Sequence, residues 1–236
     1  MQAVEAALTT LFVPRCPACD ARVEPAAPLC PACATTLDAL GPACPRCGEP
    51  QAAPPDVECA RCRTGDWPLE ALVAPWQFGG ELAQALRRLK FAGRPAMARA
   101  LGPLIAPFLA ATVEAGEVDV IVPVPLHWRR LAARGFNQAE ALARHARNAA
   151  RLAARLDTRA LRRVRATAPQ THLDGTARRA NLAGAFVARG PKVAGRRVLV
   201  FDDVVATGAT MGAAGAALRA AGAAAVIGFA CARAAR

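Results

Sequence analysis

Residues 198–211 read VLVFDDVVATGATM, and this stretch decides the fold of the chain. A run of apolar β-formers ends in two adjacent acids, Asp202 and Asp203, and a short loop leads into an alanine-rich helix. The loop consists of small residues: Ala206, Thr207, Gly208, Ala209 and Thr210. Such a loop lets backbone N–H groups approach an anion, and the helix N-terminus behind it adds partial positive charge. The two carboxylates can accept hydrogen bonds from vicinal ribose hydroxyls or hold Mg²⁺. The stretch therefore predicts a sugar-phosphate site, although T-G-x-T alone would also fit an ordinary strand–turn–helix connection.

The composition indicates a chain that can build a sizeable core. It has 236 residues, of which 54% are hydrophobic, but aromatic residues make up only 5% and tyrosine is absent, so Ala, Leu and Val must fill the core. This length suits one main domain and a small module. No apolar stretch reaches the ~18 residues that span a bilayer, and the N-terminus carries Glu5 and no basic segment, unlike a secretory signal. We therefore expect a cytoplasmic protein without membrane insertion.

Positive charge is concentrated in one part of the chain. The formal net charge is +12, yet residues 129–197 alone hold seventeen Arg or Lys against three acids. A GC-rich genome would explain arginine in place of lysine, but it would not explain the shortage of acids in this segment. The imbalance favours an anionic partner.

Eight of the nine cysteines form four CxxC pairs in two similar halves, which indicates a duplicated module. The pairs are Cys16/Cys19, Cys30/Cys33, Cys44/Cys47 and Cys59/Cys62. Two CxxC turns complete a tetrahedral Cys₄ site, so we predict two structural zinc ions, one per half. Disulfides are the main alternative, but CxxC turns in a cytosolic chain favour metal. Sequential pairing of the turns is simplest, and interleaving of the first and third pairs stays open. The ninth cysteine, Cys231, is expected in the core.

Strand and helix patterns alternate from residue 71 onward, which predicts a parallel α/β sheet with ligands at the carboxyl ends of its strands. Strands are expected at 71–78, 118–124, 160–165, 185–188, 198–203 and 225–230, and a two-faced helix is expected at 138–156. That helix would carry Arg144, Arg147, Arg151 and Arg155 on one side without glutamate partners one turn away. Such a face is costly unless an anion lies nearby, and a solvated face is the alternative.

Two further segments are candidates for contact with a phosphate group. Right-handed crossovers would bring the loop after Val124 to the same edge as Asp203, with four candidate diphosphate ligands: His127, Arg129, Arg130 and Arg134. The alternative role of His127 is to cap the loop by hydrogen bonds. The polar segment 163–181 suits a lid that closes over an anion, with Arg165, Thr167 and Gln170 as contacts. A disordered surface loop is the alternative there.

The joint pattern resembles the ComF family over nearly the whole chain. The resemblance is carried by the four CxxC pairs, VPVPLHWRRLAARGFNQAE (122–140), RVRATAPQT (163–171), ARRANLAGAF (177–186) and FDDVVATGAT (201–210). It implies an α/β fold, a type I phosphoribosyltransferase-like parallel sheet flanked by helices, with an N-terminal Cys-rich double zinc ribbon. It also implies a role in natural competence, in which incoming single-stranded DNA is handled in the cytoplasm beside a helicase and recombination proteins.

The resemblance also gives the candidate residues their roles. Asp202 and Asp203 would face the ribose, the loop from Ala206 to Thr210 would bind the 5′-phosphate, and residues 125–134 would face pyrophosphate or DNA phosphates. We expect the double zinc ribbon in residues 1–66 and the phosphoribosyltransferase-like domain in residues 67–236. Three functions stay open. The first is a DNA-uptake factor that binds single-stranded DNA and keeps a regulatory or vestigial phosphoribosyl pocket. The second is an active phosphoribosyltransferase that uses phosphoribosyl pyrophosphate with Mg²⁺, and the third is a protein whose zinc ribbons dock a partner.

Overall fold

A computed structural model describes residues 14–24, 27–65, 67–91, 95–165, 182 and 184–234. Their strands are β1 Ala71–Val73, β2 Trp76–Gln77, β3 Val120–Pro123, β4 Arg155–Leu156, β5 Leu161–Arg163, β6 Phe186–Ala188, β7 Arg197–Val205 and β8 Ala225–Arg233. Six of them form a parallel sheet in the order β1-β8-β7-β3-β4, with β2 also paired to β8, while β5 and β6 form a separate antiparallel pair. The predicted parallel α/β architecture is confirmed.

The central strands are apolar on both sides. Along β7, Leu199 and Phe201 belong to one buried cluster, and Val198 and Val200 belong to the other. Every residue of β8 is buried. Strands with continuous apolar runs are typical of a parallel sheet whose two faces are both covered by helices.

Helices supply that cover. Their bounds are α1 Pro31–Ala34, α2 Ala60–Thr64, α3 Gly80–Phe91, α4 Ala96–Ala115, α5 Trp128–Arg134, α6 Gln138–Ala149, α7 Gly190–Val193 and α8 Ala209–Ala220. Leu86 of α3, Leu101 of α4 and Leu142 of α6 share the buried cluster that contains Phe201. On the opposite face, α8 contributes Met211 to the cluster that contains Val200.

Helices α4 and α6 approach each other closely at a glycine. A Cβ atom at Gly102 would lie only 2.7 Å from the Cβ of His145 and 3.0 Å from its carbonyl oxygen. Helix α4 is long and apolar enough to cross a membrane by length and composition alone. Its residues Leu101, Ile105 and Leu109 are nevertheless buried in the cluster shared with α6 and the sheet, as in the core helix of a globular domain.

Helix α6 is shorter than predicted, which corrects the expectation of a four-arginine face. It ends at Ala149, Arg151 has a φ of 53°, and the backbone N–H of Arg155 donates to the carbonyl oxygen of Asp119 at 3.0 Å as β4 joins the edge of the sheet. Pairing with the sheet overrides the helical pattern, because tertiary contacts outweigh local propensity. The expectation that these arginines lack glutamate partners was also wrong, since Arg144 forms an ion pair with Glu140 at 2.7 Å.

Candidate functional site

The eight CxxC cysteines gather into two groups of four sulfur atoms. The first centre is Cys16, Cys19, Cys30 and Cys33, and the second centre is Cys44, Cys47, Cys59 and Cys62; within each, the Sγ atoms all lie within 4.8 Å of one another. The pairing of turns is therefore sequential. The Sγ atoms of Cys19 and Cys30 are 3.6 Å apart, and those of Cys47 and Cys59 are 3.7 Å apart. A tetrahedron with Zn–S bonds of about 2.3 Å has edges of about 3.8 Å, so both groups fit a structural zinc ion.

The two centres repeat the same local geometry. The backbone N–H of Cys30 donates to the Sγ of Cys16 at 3.4 Å, and that of Cys59 donates to the Sγ of Cys44 at 3.3 Å. Burial raises the pKa of the Cys16 and Cys44 thiols, but backbone N–H donors from both turns of each centre outweigh it and lower each pKa to about 7. Thiols that ionise near neutral pH are suited to bind Zn²⁺.

The acid pair lies where the loop after β3 leaves the sheet. Pro123 pairs with Phe201, and the backbone N–H of Val124 donates to the carbonyl oxygen of Phe201 at 2.8 Å. Asp202 and Asp203 follow at once in β7. The loop after Val124 and the acid pair therefore meet at the carboxyl edge of the sheet, as the topology predicted.

Asp203 is the centre of a buried polar network. It is only 3% exposed, and its carboxylate forms an ion pair with Lys90 in the last turn of α3. Gln138 donates through Nε2 to Asp203 Oδ1 at 3.3 Å and accepts through Oε1 from Arg134 Nη1 at 2.5 Å. Gln138 thus connects the predicted phosphate ligand Arg134 to the predicted ribose ligand Asp203.

Asp202 is a partly buried acid with an altered proton affinity. Its Oδ1 accepts a hydrogen bond from the backbone N–H of Asp203 at 2.8 Å. Burial, and then the charge of Asp203, raise the pKa of Asp202 well above its ordinary value. Arg163 lies close enough to interact with Asp202, and its own pKa is lowered by burial and by the neighbouring charge of Arg130. A divalent cation at this place would lower the pKa of Asp202 again.

Helix α5 presents the predicted phosphate ligands on an exposed surface. None of its residues is buried. At its start Trp128 is 65% exposed, and the guanidinium of Arg129 lies 5.3 Å from the ring centroid. At its end the guanidinium of Arg134 lies 5.8 Å from the ring centroid of Phe91, which is 80% exposed. Two exposed rings, each with an arginine beside it, therefore lie near the two ends of α5.

His127 caps the start of α5 by a hydrogen bond, which is the alternative to its role as a phosphate ligand. It is 7% exposed, and its Nδ1 accepts a hydrogen bond from the backbone N–H of Arg129 at 3.4 Å as the N-cap of α5. A capping group of this kind satisfies one of the unpaired N–H groups of the first helical turn. A direct contact between His127 and a phosphate stays a prediction.

The small-residue loop joins β7 to α8. Gly208 has a φ of 77° and precedes Ala209, the first residue of α8. The backbone N–H of Ala209 donates a hydrogen bond to Thr207 Oγ1 at 3.3 Å. Ala206 is exposed and Thr207 is partly buried, so one side of the loop is accessible. Trp67 packs against the other side, because a Cβ atom at Gly208 would lie 2.8 Å from Trp67 Cη2.

Comparison with known proteins decides the family. Residues 7–63 match the model of a double zinc ribbon domain, and residues 105–236 match that of a phosphoribosyl transferase domain. A protein named DNA utilization protein YhgH from Salmonella typhimurium is 38% identical over 163 residues, which cover 68% of this chain and 70% of that protein. The chain belongs to the ComF family. The protein of the same name from Escherichia coli K12 is 36% identical to this ComF-family chain over 161 residues, which cover 66% of the chain and 68% of that protein.

The segment predicted to form a lid lies mostly outside the described residues of this ComF-family chain. Arg165 is exposed, whereas Thr167 and Gln170 belong to the segment that the structure does not describe, so the lid stays a prediction. Its flanking strands do pair, with Arg163 opposite Phe186. Because Arg163 also interacts with Asp202, the segment begins near the acid pair.

Several residues of the ComF-family site escaped the sequence analysis. Local sequence patterns do not single out Lys90, Gln138 or Trp67 as parts of a site. Arg61 lies between two metal ligands and was not singled out. All four act through contacts with residues far away in the chain, and a single sequence carries no signal of such contacts.

Proposed function

We propose that this ComF-family chain binds single-stranded DNA beside a pocket for a phosphoribosyl ligand, and that it acts in DNA uptake during natural transformation in the cytoplasm. The relatives named as DNA utilization proteins support the link to DNA. The observation that carries the proposal is the exposed helix α5, whose arginines and flanking rings lie next to the acid pair. The family resemblance adds a helicase and recombination proteins as expected partners in the same process.

Helix α5 has the chemistry of a single-strand binding surface. Proteins of that class combine a basic groove with aromatic rings on which bases stack. Trp128 and Phe91 stand near opposite ends of α5, and its seven residues set those ends about 9–10 Å apart. The short helix is held by His127 at its start and by Gly135, with a φ of 81°, at its end. Leu131 in its middle is also 42% exposed, so this arginine-bearing helix offers apolar surface that bound bases would cover.

The pocket beside α5 suits a phosphoribosyl group. The loop from Ala206 to Thr210 would hold the 5′-phosphate, and the two acids would contact the ribose hydroxyls. Arg130, Arg134 and Lys90 supply positive charge on the side from which a diphosphate would approach. Where the ligand brings Mg²⁺, Asp202 offers a hard carboxylate oxygen to that ion.

Oligonucleotide binding tests the DNA proposal. We expect a labelled single strand to bind to the wild-type chain at low salt, and the affinity to fall as salt rises. Arg129→Ala combined with Arg130→Ala should weaken binding at least about tenfold, and Trp128→Ala about fivefold or more. The matched control is Arg196→Ala, because Arg196 is exposed and precedes the amino end of β7, at the opposite edge of the sheet. Absence of binding at low salt, or equal binding by all variants, would contradict the proposal.

An active phosphoribosyltransferase is the second candidate, and the proximity of the acid pair to the small-residue loop favours it. Its test is the release of pyrophosphate from phosphoribosyl pyrophosphate and Mg²⁺ with a panel of bases and amines. Asp203→Asn separates a functional pocket from a vestigial one in cells. If this variant loses transformation but keeps its zinc and its DNA affinity, the pocket contributes to function.

A further inference from the structure

We propose that the second zinc centre forms one wall of the phosphate site, so that its metal content controls the order and the phosphate affinity of the loop from Ala206 to Thr210. The part that concerns affinity rests on the proposed phosphoribosyl function. The part that concerns loop order rests only on contacts that link Cys44, Cys47, Cys59 and Cys62 to the loop through Arg61 and Trp67.

Arg61 makes the first link. It lies between the ligands Cys59 and Cys62, and its Nη1 donates to the carbonyl oxygen of Thr207 at 3.3 Å. Its guanidinium also interacts electrostatically with the sulfur of Cys47 and lies 5.4 Å from the ring centroid of Trp67. A Zn–Cys₄ centre carries a net charge of about −2, so the zinc-loaded centre attracts this guanidinium. The position of Arg61 between two ligands of the same turn also keeps it close to the centre.

Trp67 makes the second link. Its Nε1 donates to the carbonyl oxygen of Arg46, within the Cys44–Cys47 turn, at 2.9 Å, and Arg46 Nη2 donates back to the carbonyl oxygen of Trp67 at 3.0 Å. The indole fixed in this way covers Gly208 and Gly212, where Cβ atoms would lie 2.8 Å and 3.1 Å from its ring. Gly208 of the loop and Gly212 of α8 therefore leave the space that the indole of Trp67 occupies.

The first centre provides a natural comparison. The position of Arg61 in the turn Cys59-Ala60-Arg61-Cys62 corresponds to Ala32 in the turn Cys30-Pro31-Ala32-Cys33, and Ala32 is exposed. The first centre packs against other elements than the loop, since Cys30 and Cys33 belong to the buried cluster that contains Trp76 and the helices α3 and α4. Duplication thus produced two similar metal centres, of which the second is attached to the loop.

Two matched pairs of variants test the inference. Cys59→Ser and Cys30→Ser each remove one ligand at equivalent positions, because both cysteines precede a short helix in their turn. Arg61→Ala and Arg63→Ala each remove one guanidinium from α2, and Arg63 is an exposed residue that donates to the carbonyl oxygen of Glu58. The readouts are zinc content, amide hydrogen exchange of residues 206–212 measured by mass spectrometry, and calorimetric binding of phosphoribosyl pyrophosphate with Mg²⁺.

We expect Cys59→Ser and Arg61→Ala to speed exchange in the loop at least about fivefold and to weaken binding about tenfold. Cys30→Ser should lose the same amount of zinc, yet it and Arg63→Ala should leave both loop readouts within about twofold of wild type. Equal loop exchange in Cys30→Ser and Cys59→Ser, or wild-type exchange in Arg61→Ala, would overturn the inference. If Cys59→Ser fails to fold, the pair Arg61→Ala and Arg63→Ala decides, since neither residue is a ligand. If the wild type binds no phosphoribosyl pyrophosphate, the proposed function fails, while loop exchange still decides this inference.

Discussion

The ammonium group of Lys90 lies against the carboxylate of Asp203, so an ion pair ties helix α3 to the carboxyl edge of the sheet. Gln138 hydrogen-bonds to the same acid from α6. The inner acid of the pair is thus already neutralised before any ligand binds. Burial and the charge of Asp203 raise the pKa of Asp202, so Asp202 is the acid whose protonation would change when a cation binds.

Removal of the lysine tests how strongly Asp203 depends on it. Lys90→Met leaves a nearly buried carboxylate without its cation, and we expect the free energy of unfolding to fall by about 2–3 kcal/mol in urea. The double variant Lys90→Met with Asp203→Asn should recover at least about 1 kcal/mol, because no unpaired charge remains. Simple addition of the two single effects would show that the pair is not coupled.

Asp202→Asn should make stability less dependent on pH. The raised pKa of Asp202 means that the native state keeps a proton which the unfolded chain has already lost, so the stability due to this group is complete below its ordinary pKa and declines as the pH rises through the native pKa. Asparagine avoids this loss and can still accept the hydrogen bond from Asp203. The variant should therefore melt a few degrees above wild type at pH 8, with a smaller difference at about pH 5. A constant difference in Tm at all pH values would mean that Asp202 does not titrate as described.

Gly102→Ala tests the contact between α4 and α6. Alanine normally favours a helix, but its Cβ would meet the backbone and Cβ of His145, so we expect a loss of about 1–3 kcal/mol by chemical denaturation. Gly79→Ala is the matched control, because no atom lies within 4 Å of a Cβ at that position. The control should change stability by less than about 0.5 kcal/mol. Stabilisation by Gly102→Ala would contradict the close approach.

Metal content tests the two centres directly. Native mass spectrometry should find two zinc ions per chain, and Cys44→Ser should reduce the count to one. Cys231→Ala serves as the control, since this buried cysteine of β8 belongs to neither group. A chain that contains disulfides in place of zinc, or that loses an ion with Cys231→Ala, would refute the assignment.

Local patterns were sufficient to predict the central strands of the sheet, the two groups of cysteines and the meeting of two loops at one edge, whereas the strands expected at 160–165 and 185–188 form an antiparallel pair outside the parallel sheet. Apolar runs, CxxC spacing and a small-residue turn all act over short stretches of chain. Helix α6 was predicted too long because β4 forms only in the presence of β3, which is a distant partner. For the same reason Lys90 and Trp67 were missed, since their importance comes from Asp203 and Gly208 and not from their own neighbours in the sequence. His127 shows the limit of residue type alone, because one imidazole beside three arginines suits a cap as well as a phosphate ligand.

Strand β8 lies between β1 and β7 and is the last strand in the described part of the chain. Its Arg233 is 1% exposed and holds the zinc module by donating to the carbonyl oxygen of Cys47 at 2.7 Å. During translation, β1, β7 and the cysteine turns leave the ribosome before the strand that joins them. A nascent chain therefore exposes two unpaired strand edges until β8 has been synthesised, and such edges are prone to pair with other chains. Added chaperones that cover these edges should accordingly increase the yield of folded protein.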